Sequence, residues 1–137
     1  MQVFISHAET DGSLAGKLAA GLEEAGLKVW YDRREILPGA NWAEETAQAL
    51  KESEAMVVLL TPAALRSTQV RREIQYALGG ENYSHRLIPV FVGSADKTSH
   101  ENFPWIFASL PFVRLPTRGR LDKVVKHIAQ VLLERAA

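Results

Sequence analysis

Apolar residues along this chain fall into two alternating arrangements. Short apolar segments, Val3 to Ser6, Lys28 to Asp32, Met56 to Leu60, Leu87 to Val92 and Phe112 to Leu115, read as strands. The stretches between them repeat apolar residues at helical spacing. Leu14, Leu18, Leu22 and Ala25 form one stripe over 13–25, with Asp11 or Ser13 placed to cap it and Gly26 to end it. A second helix is expected over 42–52, capped by Asn41 and facing inward with Thr46, Ala47 and Leu50. A third, over 67–78, turns Val70, Ile74, Ala77 and Leu78 inward and stops at Gly79-Gly80. The last runs over about 119–135 and carries Leu121, Val124, Val125, Ile128 and Leu132. Residues 33–41 form a loop punctuated by Pro38-Gly39. Residues 93–110 are irregular apart from a short helical pattern near 104–109. Pro89 lacks the N–H a ladder needs, which points to a sheet edge or a bulge at that position.

Strand and helix alternate almost strictly. That pattern defines an α/β domain, an open parallel sheet with helices on both faces, arranged as a flavodoxin-like three-layer sandwich. The wholly apolar third strand belongs at the centre, where both faces are covered. Right-handed crossovers then favour a five-stranded parallel sheet in the order 2-1-3-4-5. In such sheets ligands bind beyond the carboxyl ends of the strands, near the point where the order reverses. Here that edge gathers the loops 6–12, 32–42 and 61–68. A single domain over 1–137 is expected, and it could be a piece of a longer protein.

Composition narrows the partners. Sixteen basic residues balance sixteen acidic ones, so nucleic acid is not an expected partner, because phosphate binding leaves a basic excess. Cysteine is absent, which excludes disulfides and thiolate metal sites. The longest apolar run, Ala55 to Leu60, is too short to span a bilayer, and no basic segment precedes the first strand. A cytoplasmic location without a membrane partner is the expectation. The histidines His7, His85, His100 and His127 have no ligand spacing, so no metal site is expected. No Walker-type loop or Gly-x-Gly-x-x-Gly is present, and no Gly-x-Ser-x-Gly elbow. The third strand ends in Leu60-Thr61, where a phosphorelay receiver needs an aspartate.

Four pieces of sequence lie at the expected ligand edge: Phe4-Ile5-Ser6-His7, Asp32 with Pro38-Gly39, Thr61-Pro62, and Ser67 with Glu73. Their order and spacing resemble the TIR domain (Toll/interleukin-1 receptor/resistance domain), particularly its bacterial members. The resemblance covers 2–92 well and 93–137 only loosely. Some members of that family are adaptors that only bind each other, and others cleave NAD+ between nicotinamide and ribose. Bacterial members often serve in antiphage defence, and the wider family in innate-immunity signalling.

The resemblance implies roles for particular residues. Glu73 takes the place of the catalytic carboxylate. Ser6, His7, Asp32, Gly39, Trp42 and Gln69 take places that line or shape the substrate pocket. NAD+ would be a substrate, with no cofactor needed. Other TIR domains would be partners, through homotypic assembly at the 33–42 loop. The chemistry asks little of the protein. Nicotinamide leaves as a neutral molecule, so no general acid is required, and one carboxylate can stabilise the cation developing on the sugar. Plainer readings exist for each residue. Glu73 could be a solvated helix glutamate paired with Arg71 or Arg72, favoured by the helix dipole. Ser6 could cap a turn, His7 could be a polar surface residue and Asp32 could start a turn. One position departs from the family pattern. Many active relatives have Trp four residues before the glutamate, where this chain has Gln69. Trp42 or Tyr31 could supply the missing stacking surface, or both could be packing aromatics.

Overall fold

The computed structural model describes residues 2–31, 39, 41–79, 86–92, 113–115 and 121–136, with the backbone alone at 114 and 134–136. Expectations for Asp32, Pro38 and the short helix near 104–109 lie outside the described residues. The elements are β1 (Gln2–Ser6), a 3₁₀ turn (Glu9–Asp11), α1 (Gly12–Glu24), β2 (Lys28–Trp30) and α2 (Trp42–Glu52). They continue with β3 (Ala55–Leu60), α3 (Pro62–Arg66), α4 (Thr68–Gly79), β4 (Leu87–Val92), β5 (Val113–Leu115) and α5 (Leu121–Ala136). Strands β2, β1, β3, β4 and β5 lie side by side in that order, and every pairing is parallel. Among the described residues no helix is long and apolar enough to cross a membrane.

The pleat sorts the strand residues between two cores, because successive side chains point to opposite faces. Val3, Ile5, Val29, Val57, Leu59, Ile88 and Val90 pack with α1 and α5. Phe4, Met56, Val58, Leu60 and Leu87 pack with α2, α3 and α4. Strand β3 is buried along its whole length, as a strand covered on both faces must be.

Local chemistry sets most element ends. Gly26, at φ +100°, closes α1: its N–H bonds to Glu23 C=O and the Leu27 N–H to Leu22 C=O. That pair of bonds is the Schellman arrangement, which needs a residue in the left-handed region. Asn41 caps α2 through the Glu44 N–H at 3.2 Å. Thr61 caps α3 through the Ala64 N–H at 3.1 Å, and Ser67 accepts from the Val70 N–H at 3.2 Å as α4 begins. Asp11 occupies the cap position of α1, but its side chain does not cap the helix. Its carboxylate accepts from the Thr61 hydroxyl at 2.6 Å, tying the turn after β1 to the end of β3.

The structure turns several helix faces differently from the expected stripes. In α2 the buried residues are Thr46, Ala49 and Leu50, and Ala47 is exposed. In α4, Val70, Glu73, Ile74 and Ala77 face inward, and Leu78 is 40% exposed. Ala25 is exposed too, since α1 ends just before it. In each case the sheet selects one sector of the helix, and alanine or leucine outside that sector goes to solvent.

Pro89 is not on an edge strand, because β4 lies between β3 and β5. The Met56 N–H bonds to Arg86 C=O, so alternation along β4 aims the missing donor of Pro89 away from β3. On that other side the described β5 residues pair with Val90, Phe91 and Val92.

Candidate active site

Glu73 lies in α4, on the helix face that packs toward the sheet, and is only 4% exposed. A carboxylate buried to that extent is costly unless hydrogen bonds replace water. Here they do. Ser6 Oγ donates to Glu73 Oε1 at 2.6 Å, and Gln69 Nε2 donates to Glu73 Oε2 at 3.1 Å. The first bond has the length expected of a hydroxyl bonding a charged carboxylate.

Both donors are firmly placed. Ser6 is the last residue of β1, in register with Val58 of β3, and is itself buried. Its even number sends its side chain to the α4 face, with Phe4. Gln69 lies four residues before Glu73, one turn back on the same helix face. The Ser67 cap fixes where that helix starts. The burial rules out the plainer reading of Glu73 as a solvated glutamate. Arg71, one of the partners considered for it, is exposed and donates from Nε to Leu65 C=O.

Glu73 borders a cleft also lined by Phe4, Ile5, His7, Trp30 and Gln69. It spans about 150 Å³ of space, part of it open solvent. His7 is buried, and its Nδ1 lies 2.8 Å from Ala8 C=O. A carbonyl only accepts, so Nδ1 carries the proton in that bond. The His7 ring meets Tyr31 edge-on, with centroids 6.3 Å apart.

The expected residues separate into groups. Ser6, His7, Gln69 and Glu73 come together. Trp42 is 40% exposed at the start of α2 and is not among the cleft-lining residues. Gly39, exposed and at φ +85°, is not among those lining residues either. Asp32 is outside the described residues. Sequence reasoning looked for an aromatic wall in Trp42 or Tyr31 and missed Trp30. Trp30 stacks on Phe4, with ring centroids 4.9 Å apart and planes 18° off parallel, and both rings border the cleft. The missed signal was parity. Val29 is buried on the α1 side, so Trp30 must point to the α4 side, where Glu73 is. Among the described residues no group of three or more His, Asp or Glu side chains is placed to hold a metal ion.

The parallel α/β sheet, with Glu73 and Ser6 joined beside the carboxyl end of β1, agrees with the family resemblance of the sequence. The chain belongs to that family: the family model for the TIR domain matches residues 3–134. It is similar to the 2' cyclic ADP-D-ribose synthase BtTIR of Bacteroides thetaiotaomicron, at 27% identity over 86 residues. That match covers 62% of this chain and 30% of the relative, so the chain spans under a third of that protein's length. Among solved structures it resembles the TIR domain of the Toll-related receptor TRR-2 from Hydra magnipapillata. The TM-score is 0.67 at 23% identity, covering 98% of this chain and 95% of the other. It also resembles a metazoan TIR-STING receptor from C. gigas, solved with 2',3'-cGAMP. There the TM-score is 0.74 at 23% identity, covering 93% of this chain and 39% of the other.

Proposed function

We propose that this domain is an NAD+ glycohydrolase, cleaving the nicotinamide–ribose bond to release nicotinamide and ADP-ribose or a cyclic ADP-ribose. The observation that carries this reading is the buried Glu73 carboxylate, hydrogen-bonded on both oxygens and bordering a cleft walled by Trp30 and Phe4. The similarity to a cyclic ADP-ribose synthase supports it. In the reaction the C–N bond to the pyridinium ring breaks, and its electron pair leaves with nicotinamide. The sugar becomes an oxocarbenium-like cation, and the Glu73 charge stabilises it at close range, away from bulk water. Water, or the adenine of the same molecule, then attacks the anomeric carbon. His7 and Trp30 would contact the ring that enters the cleft. NAD+ is the substrate and no cofactor takes part. The cytoplasm supplies NAD+, so a cytoplasmic setting in defence signalling accompanies this reading.

The described residues line a small cleft that is partly open to solvent. Self-association through the 33–42 loop is the step proposed to complete the competent site around it. Specific activity should therefore rise with protein concentration, and activity that is constant on dilution would remove this part of the proposal.

The direct test is release of free nicotinamide from NAD+ by concentrated protein, with Glu73→Gln as control. Glutamine keeps the shape and can still accept from Ser6, while Gln69 can turn its amide to present oxygen. The variant should fold and lose activity on the order of a hundredfold or more. Equal rates in the two proteins would overturn the catalytic role of Glu73.

A second reading is a non-catalytic TIR–TIR interaction module. Gln69, where many active relatives have Trp, favours it. No nicotinamide release at any concentration, together with concentration-dependent association, would select it.

A further inference from the structure

The resemblance places Ser6 and Gln69 among substrate-binding residues, but the geometry points to another role: both are positioning residues that act through Glu73. This deepens the proposed NAD+ cleavage and rests on it for its kinetic part. The donors of both side chains are directed at the carboxylate. Ser6 Oγ reaches Oε1 at 2.6 Å and Gln69 Nε2 reaches Oε2 at 3.1 Å, so one donor is spent on each oxygen.

The two contacts come from elements 67 residues and four residues away in sequence, a strand end and the preceding helical turn. Together they fix the carboxylate plane along two directions, which a single bond would leave free to rotate. Hydrogen bonds to the charged form favour ionisation and oppose the penalty that burial places on a carboxylate. In this arrangement Gln69 replaces what an aromatic residue would do at that position with a different job. The flat surface comes instead from Trp30, across the cleft and stacked on Phe4.

A positioning residue and a substrate ligand have different kinetic signatures. Loss of a positioning bond lowers kcat and leaves KM nearly unchanged, because the interaction is with the reacting group and not with bound substrate. Loss of a substrate ligand raises KM. The variants are Ser6→Ala and Gln69→Met, which remove the donors at nearly constant volume. Ser6→Cys returns a weak donor and serves as the partial rescue.

The experiment has two arms. In the first, steady-state nicotinamide release should show kcat lowered about tenfold in each alanine or methionine variant, the size of one hydrogen bond to a charged group. KM should stay within about twofold, and Ser6→Cys should recover part of kcat. A raised KM with unchanged kcat would overturn the inference. The second arm needs no turnover. The carboxyl carbon of Glu73, labelled with ¹³C and followed by NMR against pH, should titrate at higher pH in both variants than in the parent. Removing a donor destabilises the charged form, which is the reason for that sign. His7 also lines the cleft, so its ring signals are followed in the same titration to separate its protonation from that of Glu73. An unmoved Glu73 titration in both variants would overturn the positioning role even if the parent proved active. A moved titration in a parent without turnover would instead leave the positioning intact and sink the proposed reaction.

Discussion

Gly21 and Gly16 sit in the same helix, α1, and replacing each by alanine separates packing from helix propensity. Either change should gain about 1 kcal/mol, because glycine is a poor helix residue. The surroundings differ. A Cβ at position 21 would lie 2.8 Å from Val125 Cγ2, 3.1 Å from Cγ1 and 3.4 Å from Cβ. Those contacts are closer by up to roughly 0.7 Å than the shortest favourable carbon–carbon separation. Val125 is buried in α5 and has one strongly preferred rotamer in a helix, so turning it only exchanges one methyl for another. The two helices must then move apart, and overpacking of this kind costs about 1–3 kcal/mol. At position 16 the nearest atom is the Tyr31 hydroxyl oxygen at 3.3 Å, with Cζ at 4.0 Å. That ring end can tilt. Gly16→Ala should therefore be neutral or stabilising by up to about 1 kcal/mol, whereas Gly21→Ala should be destabilising by up to about 2 kcal/mol after the propensity gain is subtracted. The expected gap between the variants is about 1–3 kcal/mol. Urea unfolding of both, with unchanged m-values, measures it. Gly21→Ala equal to or more stable than Gly16→Ala would refute the close α1–α5 approach.

Other expectations follow from the same geometry. Thr61→Val removes both the donor to Asp11 and the cap on the Ala64 N–H, so unfolding free energy should fall by about 2–4 kcal/mol. A loss below about 1 kcal/mol would mean the buried pair contributes little. Ala49→Leu should cost about 1–3 kcal/mol, since Ala49 is buried. Ala47→Leu should stay within about 0.5 kcal/mol, and the reverse ranking in thermal melts would show that α2 is turned the other way. Trp30→Leu keeps an apolar wall but removes the flat ring beside the cleft, so KM for NAD+ should rise several-fold in a folded domain, by about 1 kcal/mol of lost stacking. An unchanged KM would take Trp30 out of the binding wall.

The sequence alone determined the class of fold and the punctuation of its elements. Continuous apolar runs and three-to-four spacing are local signals, and the residues that cap helices act on backbone groups two or three positions away. Asn41, Ser67 and Gly26 are accordingly found at the ends they mark. The chain order of Ser6, Thr61-Pro62, Ser67 and Glu73 also carried the family resemblance, from which Gln69 departs. Tertiary structure decided the rest, because burial depends on what lies opposite. Ala47 and Leu78 fitted an inward stripe as well as Ala49 and Val70 did, and only docking on the sheet chose the sector. Trp42 and Tyr31 were the aromatic candidates, yet the pleat put Trp30 on the cleft, and Trp42 is left 40% exposed. Glu73 itself reads as an ordinary helix glutamate in any local window. Its burial and its bond to Ser6 exist only because a parallel sheet brings a strand end beside a helix 67 residues later, where water is displaced and the carboxylate must find its donors within the protein.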